Sequence, residues 1–270
     1  MNLSDVNSRG LVLLGCGKMG SALLAGWLER GIDASAVSVL EPNPSDWLLA
    51  QGVHLNQGLP PRPAVCVLAV KPQMMGAALP AITALGNADT LFVSIAAGTT
   101  IASFETALGN QTPVVRAMPN TPAAVGRGIT ALVANRHAGA QGLALARDLM
   151  AAVGQVVLLD HEGQMDAVTA LSGSGPAYVF HLIEAMAAAG VAEGLAPDLA
   201  MHLARATVCG AGELAHQSTE PAAQLRANVT SPGGTTAAAL AVLMDAGTGF
   251  PDLLGRAVAA AAARGRELGK

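Results

Sequence analysis

Hydrophobic residues in the first part of the chain form short continuous runs separated by turn residues. Runs of this length without polar alternation are typical of parallel strands that are covered on both faces. They predict an open parallel sheet in an α/β fold. The predicted strands are Leu11–Leu14, Val37–Leu40, a short edge strand over 53–55, 65–70, 90–95, Val114–Met118, 128–133 and 155–159, with a helix over 138–152 before the last.

The pattern changes near residue 163. From there the β-branched runs stop, and apolar residues recur at helical spacing to the end of the chain. Helices are predicted over 179–192 and from Pro197 to about 214, and others begin at Pro221, Thr235 and Pro251. We therefore predict two domains, an α/β domain over 1–162 and an all-helical domain over 163–270.

A glycine motif follows the first predicted strand. Gly15-Cys16-Gly17-Lys18-Met19-Gly20 lies between the apolar run and a helical pattern that ends at Gly31. Strand, G-x-G-x-x-G and helix is the context of the dinucleotide-binding fingerprint, in which the glycines make the turn and admit a pyrophosphate. This predicts a Rossmann-type cofactor loop, with a purely structural strand-to-helix turn as the alternative.

Residues at the ends of the next strands are candidates for the same site. Glu41 follows the second strand, where a carboxylate commonly binds the adenosine ribose, and it would repel a 2′-phosphate. This favours NADH over NADPH, although Asn43, Ser45 or Arg62 could offset it. Asn56 is a further candidate near the ribose. Small residues at the ends of later strands would let a nicotinamide ring lie against the backbone; they are Ala69 and Val70, before Lys71-Pro72, and Ile95, Ala96 and Ala97.

A second turn lies in the helical half of the chain. Ser231-Pro232-Gly233-Gly234-Thr235-Thr236 is predicted to be an exposed turn that leads into a helix, with Thr235 or Thr236 as the helix cap. The N–H groups at such a helix start attract an anion, and the helix dipole adds to the attraction. An ordinary loop with an N-cap is the alternative.

Composition and charge exclude several classes of function. The 270 residues include only 13% charged side chains, the net charge is −4 and the mean hydropathy is +0.44. No basic block is present, which argues against nucleic acid as a partner. No uninterrupted apolar run approaches the roughly eighteen residues that cross a bilayer, so we attribute the hydropathy to helix burial and subunit contacts. Cys16, Cys66 and Cys209 have neither disulfide nor metal spacing, so we expect a cytoplasmic protein without a metal site.

Five segments in order resemble those of the pyrroline-5-carboxylate reductase family, over nearly the whole chain from Leu11 to the last helix. They are Gly15-Cys16-Gly17-Lys18-Met19, Ala69-Val70-Lys71-Pro72, Arg116-Ala117-Met118-Pro119-Asn120-Thr121-Pro122, Ser172-Gly173-Ser174-Gly175-Pro176-Ala177-Tyr178 and Ser231-Pro232-Gly233-Gly234-Thr235-Thr236. The resemblance implies reduction of 1-pyrroline-5-carboxylate to L-proline with NADPH or NADH, the last step of proline biosynthesis. It also implies a Rossmann domain followed by a helical dimerisation domain, with dimers often gathered into decamers.

The resemblance also assigns site residues. Leu14 to Met19 and Ala69 to Pro72 match the cofactor loops, and Ile95 to Ala97 match the segment beside the nicotinamide. Glu162, Asn228, Thr235 and Thr236 match positions that face substrate or cofactor. Two departures are the extension from Met1 to Arg9 and the short Pro-rich loop over 55–63, which leaves the ribose contacts of Asn56 open.

The chemistry of such a reaction needs few acids or bases. A protonated cyclic imine is already an electrophile, so hydride transfer depends on holding two rings in register. The N–H groups of Gly233, Gly234 and Thr235 would anchor the substrate carboxylate beside Ser231, and the Thr236 hydroxyl would orient the ring nitrogen. The hypothesis is that this helix start faces the nicotinamide.

Other interpretations remain open from the sequence. The Ser172-Gly173-Ser174-Gly175 segment fits close helix packing at a subunit seam as well as a substrate pocket, and Tyr178 fits packing or an acid. A β-hydroxyacid dehydrogenase needs a lysine after Gly175, but Lys18, Lys71 and Lys270 are the three lysines and none lies on the helix that follows it. An F420-type or other imine reductase and a non-enzymatic dinucleotide sensor are the remaining alternatives.

Overall fold

The computed structural model describes residues 3–269. Met1, Asn2 and Lys270, which include the start of the predicted extension and one of the three lysines, lie outside the described residues. The chain divides into two compact units. The first comprises the residues up to Gly173 together with those from Ala261 onward, and the second comprises Ser174–Ala260. The predicted domain boundary at residue 163 stays a prediction.

The first unit contains a twisted sheet with helices between its strands. Its strands are β1 (Leu11–Leu14), β2 (Val37–Leu40), β3 (His54–Leu55), β4 (Val65–Leu68), β5 (Leu91–Ser94), β6 (Val114–Met118), β7 (Gly128–Ala134) and β8 (Gly154–Leu158). Its helices are α1 (Leu3–Arg9), α2 (Lys18–Glu29), α3 (Asp46–Leu49), α4 (Pro72–Ala78), α5 (Ile101–Leu108), α6 (Gly139–Met150) and α7 (Met165–Val168).

The sheet order is β3-β2-β1-β4-β5-β6-β7-β8, and every neighbouring pair is parallel except β6 with β7. This confirms the predicted α/β fold with a parallel sheet. Strands β4 and β5 are shorter than predicted, because the chain leaves the ladder after Leu68 and Ser94. The residues that follow these two strands are consequently free to form loops at the carboxyl edge.

The sheet is covered on both faces, as its uninterrupted apolar strands require. On β1, Leu11 and Leu13 belong to one core with Trp27 and Leu149, while Val12 and Leu14 belong to a second core with Ile82, Phe92 and Phe104. The Trp27 ring N–H donates to the Leu149 carbonyl oxygen at 2.9 Å, so α2 is joined to the end of α6. Burial of each such side chain contributes about 1.5–3 kcal/mol, which makes this sheet a rigid support for the loops at its edge.

The second unit is helical. It contains α8 (Gly175–Ala192), α9 (Pro197–Gln217), α10 (Ala222–Asn228), α11 (Thr235–Leu243) and the first part of α12 (Phe250–Leu268), whose last turns belong to the first unit. Helix α8 packs against α9, yet Ala187 is the buried residue of its eighteen positions. Large apolar side chains such as Phe180 and Leu214 are more than half exposed. The helices of this unit therefore carry apolar surface that the single chain does not cover.

One stretch among the described residues has the length and composition of a membrane-crossing segment, Glu162–Ala192 with a mean hydropathy of 1.2. This stretch is more apolar than the interrupted runs in the sequence suggested, because its many alanines raise the average. Of the eighteen consecutive residues that make this stretch apolar, only 6% are buried within the chain. An exposed apolar helix of this kind also occurs where two protein subunits meet.

Candidate functional site

The carboxyl ends of β1 to β6 lie at one edge of the sheet, because these strands run parallel. Ligands of open α/β sheets bind outside this edge. The structure brings most of the predicted cofactor residues together here, within the first unit. They follow β1 (Gly15, Cys16, Gly17, Lys18, Met19), β2 (Glu41), β3 (Asn56), β4 (Ala69, Val70, Lys71, Pro72) and β5 (Ile95, Ala96, Ala97), with Leu14 as the last residue of β1.

Two of the three motif glycines have a steric reason within the chain to lack a side chain, and the third lies beside open space. Gly15 has φ +88°, and a Cβ there would lie 2.8 Å from Val70. A Cβ on Gly20 would lie 2.6 Å from the Gly15 carbonyl oxygen, so this glycine lets α2 approach the loop. A Cβ on Gly17 would have no atom within 4 Å and would instead occupy open space above the loop. This open approach to the backbone is what a diphosphate requires.

The helix after this loop begins without a side-chain cap. Gly17 is the N-cap of α2, with extended φ and ψ and no side-chain bond to the first turn. The free N–H groups of such a start, with the helix dipole, form an anion site. The Lys18 side chain is exposed at the first position of α2, and Met19 packs against the core beneath. The loop and helix start therefore fit the diphosphate of a dinucleotide.

Two loops next to the glycine loop have a fixed course. The Ala69 N–H donates to the Leu14 carbonyl oxygen at 2.8 Å, and Lys71 is the N-cap of α4 with Pro72 at its first position. After β5, the Ile95 N–H donates to Leu68, and the Ser94 hydroxyl accepts the Ala96 N–H at 3.2 Å. Small residues on rigid backbone thus line the edge where a flat ring would lie.

Glu162 makes its contacts inside the first unit. Its Oε1 accepts a hydrogen bond from the guanidinium of Arg116 and another, at 2.8 Å, from the N–H of Ile101. Arg116 lies in β6 and is 5% exposed, while the Glu162 side chain remains 31% exposed. The role of Glu162 in substrate binding stays a prediction. Arg116 was not singled out from the sequence, but an arginine inside an apolar strand is a signal of a buried ionic partner.

Asn120 joins the turn after β6 to the serine-glycine segment. Its side-chain carbonyl accepts the Ile129 N–H at 2.9 Å, and its amide donates to the Ser172 hydroxyl at 3.4 Å. Ser172 lies in a π-helical turn, Thr169–Gly173. Such turns are frequent at functional sites, but this contact serves packing equally well, so both interpretations of the segment stay open.

The predicted anion site in the second unit is exposed, but its cap differs from the prediction. Gly234, and not Thr235 or Thr236, is the N-cap of α11, and no side chain caps it. The reason is that Gly233 adopts φ +70° and the Gly234 N–H closes a turn on the Ser231 carbonyl oxygen at 3.1 Å. Because that N–H is already used, the anchor predicted at Gly234 has lost one of its three donors.

Asn228, the last residue of α10, is placed by two side-chain contacts. Its amide donates to Glu220 at 2.9 Å and its carbonyl accepts from Gln224 at 2.8 Å. Its predicted cofactor contact stays a prediction. No group of three His, Cys, Asp or Glu side chains with metal-binding geometry occurs within residues 3–269.

A parallel sheet with a glycine loop and an acidic residue at its carboxyl edge, followed by a helical unit, defines the class of dinucleotide-dependent oxidoreductases. A protein of Pseudomonas aeruginosa named pyrroline-5-carboxylate reductase is 40% identical over 264 residues, which cover 96% of each chain. The chain therefore belongs to the pyrroline-5-carboxylate reductase family.

Further comparisons agree. A family model described as pyrroline-5-carboxylate reductase dimerisation matches residues 162–268, and one described as NADP oxidoreductase coenzyme F420-dependent matches residues 11–98. A pyrroline-5-carboxylate reductase structure from Coxiella burnetii has a TM-score of 0.89 and 35% identity, covering 97% of this chain and 99% of that one. The Plasmodium falciparum pyrroline carboxylate reductase with NADP bound has a TM-score of 0.84 and 30% identity, covering 98% and 99%.

Proposed function

We propose that this chain reduces 1-pyrroline-5-carboxylate to L-proline with NADPH or NADH, the last step of proline biosynthesis. The observation that carries the proposal is that similarity to named reductases spans 96% of the chain. It includes the helical unit as well as the dinucleotide-binding fold. A β-hydroxyacid dehydrogenase or a non-enzymatic sensor has no comparable support.

The cofactor would bind at the carboxyl edge of the first unit. The helix start at Lys18 receives the diphosphate, Glu41 faces the adenosine ribose, and the backbone of Ile95 to Ala97 lies beside the nicotinamide. The loop from Ala69 to Pro72 borders the same edge. When bound, the reduced nicotinamide supplies the hydride.

The substrate carboxylate would bind at the start of α11, which we propose from Ser231, Gly233 and Thr235. These residues are exposed, and α11 has nine residues, enough to carry a dipole at its first turn. The Thr236 hydroxyl orients the ring nitrogen. A hydride adds to the imine carbon, the C=N π pair moves to nitrogen, and water supplies any further proton. Positioning of this kind accounts for ~7–11 kcal/mol of a barrier.

We propose that the exposed apolar helices of the second unit form a homodimer, and that dimers assemble further, with a decamer possible. The support is the dimerisation description of the matching model and the exposed apolar side chains of α8 and α9. Cytoplasmic location, and the absence of membrane and nucleic-acid partners, belong to the same proposal. Light scattering on the purified protein would give the mass of the assembly. A monomer would contradict the proposal. A mass of two subunits would support the dimer alone, and a mass of ten subunits would support the decamer as well.

The enzymatic proposal is tested with purified protein, NADH or NADPH, and 1-pyrroline-5-carboxylate. We expect a loss of absorbance at 340 nm and formation of proline in equal amount. Cofactor binding without turnover of this imine would contradict the proposal and favour the sensor. Thr236→Ala is the matched variant, since it should bind cofactor as the wild type does.

A further inference from the structure

We propose that Glu41 makes this protein bind NADH more tightly than NADPH, with Asn56 as the residue that positions it. The inference rests on the proposed function, because it assumes that a nicotinamide dinucleotide binds at the glycine loop. It concerns the choice between NADPH and NADH, both of which the family resemblance implies. Its basis is the hydrogen bonding of Glu41 and the location of the nearest arginines.

The Glu41 carboxylate is held by backbone N–H groups on both sides. Its Oε2 accepts the N–H of Cys16 in the glycine loop at 2.8 Å, and its Oε1 accepts the N–H of Asn43 at 3.0 Å. Hydrogen bonds to an ionised acceptor are stronger than neutral ones. The carboxylate is therefore tied to the loop that receives the diphosphate and has little freedom to swing away from an incoming ribose.

The main chain of Glu41 is held as well. The Asn56 side-chain carbonyl accepts the Glu41 N–H at 3.0 Å, and the Asn56 amide donates to the Glu41 carbonyl oxygen at 2.8 Å. Asn56 itself has φ +54°, a conformation that asparagine tolerates better than most residues, and its N–H bonds to Val39. Because both polar groups of its side chain bind Glu41, Asn56 acts on the ribose site through Glu41.

A fixed carboxylate at this position distinguishes the two cofactors by charge. The 2′- and 3′-hydroxyls of NADH can donate hydrogen bonds to the free lone pairs of Glu41. The 2′-phosphate of NADPH has no such donor and brings a second anion next to the first. Relief would require a cation nearby, or a carboxylate that can move.

The arginine that could have supplied relief lies at the opposite edge. Arg62 precedes β4 and bonds to Asp89, which precedes β5, at 3.1 Å. Arg9 precedes β1, and it donates to the Arg62 carbonyl oxygen at 3.2 Å and pairs with Asp89 at 3.3 Å. All three residues lie before strands whose carboxyl ends form the cofactor edge. Four residues of strand, roughly 13 Å, separate the two edges.

Asn43 and Ser45, which follow β2, bring no positive charge to the ribose site. The Ser45 hydroxyl accepts the Leu48 N–H and caps α3, while Asn43 donates its N–H to Glu41. Lys71, the N-cap of α4, follows β4, which is two strands away from β2 in the sheet, while Lys18 lies at this edge at the first position of α2. Its place is beside the diphosphate, which both cofactors carry, so it attracts them equally.

The test is equilibrium binding of NADH and of NADPH without substrate, followed by nicotinamide fluorescence. For the wild type we expect NADH to bind at least ~10-fold tighter than NADPH. Glu41→Ser should lower the ratio of the NADPH Kd to the NADH Kd by ~10-fold or more, because it removes the repulsion between the carboxylate and the 2′-phosphate. A tenfold change in Kd corresponds to about 1.4 kcal/mol. Asn56→Ala should move the ratio the same way by a smaller factor.

Lys18→Gln is the matched control, and it should weaken both cofactors while the ratio stays within ~2-fold. Retained NADPH binding by Glu41→Ser shows that this variant is folded. A wild type that binds NADPH as tightly as NADH, or a ratio that Glu41→Ser leaves unchanged, would overturn the inference. In both cases the cofactors still bind, so the proposed function survives; binding of neither cofactor would contradict the proposed function instead.

Discussion

Arg116 and Glu162 are 46 positions apart in the sequence and form an ion pair within the first unit. The oxygen of Glu162 that accepts from Arg116 also accepts the N–H of Ile101, the first residue of α5. One carboxylate thus connects β6, the segment that follows Ile95 to Ala97, and the chain just before α7. Glu162, which matches a substrate-facing position of the family in sequence, thus connects three segments of the first unit.

This pair predicts the effect of Glu162→Gln. The amide oxygen can still accept from Ile101, but the buried guanidinium of Arg116 loses its counter-charge. Since hydrogen bonds to charged groups contribute about 1.5–3 kcal/mol, we expect the free energy of unfolding in urea to fall by about that amount. Arg116→Met combined with Glu162→Gln should recover part of the loss.

The same variant separates the two roles of Glu162. If it positions the loop, cofactor Kd and substrate KM should both rise together with the loss of stability. A large rise in KM at unchanged stability would mean that Glu162 binds the substrate directly, as the family resemblance implies.

Thr236 provides a cleaner test of the substrate site. Gly234 is the N-cap residue of α11, and no side chain caps this helix. Thr236→Ala therefore removes no helix cap and should leave the melting temperature unchanged. We expect kcat/KM for the imine to fall by a factor corresponding to ~1–3 kcal/mol, with cofactor Kd unchanged. Thr236→Ser keeps the hydroxyl and should restore most of the activity. Unaltered steady-state kinetics in Thr236→Ala would remove this residue from the site.

Cys16 lies in the cofactor loop, and we expect its thiol to react slowly with alkylating reagents. Burial, and next the negative charge of Glu41, raise the pKa of Cys16 to about 11. The thiolate is therefore rare at pH 8, and alkylation by iodoacetamide should be slow and should accelerate up to about pH 11. Peptide mass spectrometry would separate Cys16 from Cys66, whose pKa burial also raises, and from exposed Cys209.

Glu41→Gln removes the charge that contributes to this shift. Cys16 should then react faster at pH 8, while the alkylation of Cys66 stays the same. Equal Cys16 rates in both proteins would contradict the close contact between the Glu41 carboxylate and the glycine loop.

Asp89 predicts a small pH dependence of stability. Partial burial acts to raise its pKa, but the hydrogen bond from Arg62, a backbone hydrogen bond and the charges of Arg9 and Arg62 together lower it. Because the folded pKa is depressed, the carboxylate stabilises the fold above its unfolded pKa, and this contribution is lost as the pH falls through the folded value. The side chains are well exposed, so the contribution is at most about 1 kcal/mol.

Asp89→Asn should therefore lower the free energy of unfolding slightly at pH 7, measured in urea. The difference from the wild type should shrink as the pH falls below the ordinary pKa of an aspartate and through the lowered folded pKa of Asp89. A difference that persists at low pH would assign the effect to packing.

The amino-acid sequence by itself determined the local elements of this protein. The apolar run Leu11–Leu14 predicts a buried strand, the bounds of Val114–Met118 agree with β6, and Thr235 begins α11 as predicted. Strand spacing, glycine motifs and helical periodicity depend on residues that are close in sequence. They can therefore be recognised in a single amino-acid sequence. The resemblance that identified the family rests on the same short segments.

The tertiary structure alone decided which distant residues meet. The sequence pattern did not predict that Arg62 lies at the edge opposite Glu41. It also did not predict the two hydrogen bonds from Asn56 to Glu41 or the ion pair of Arg116 with Glu162. Even the cap of α11 depended on the left-handed turn at Gly233 rather than on the preference of threonine for caps. These contacts follow from strand order and from where each loop leaves the sheet, and such long-range geometry is set by packing of the whole unit rather than by local spacing.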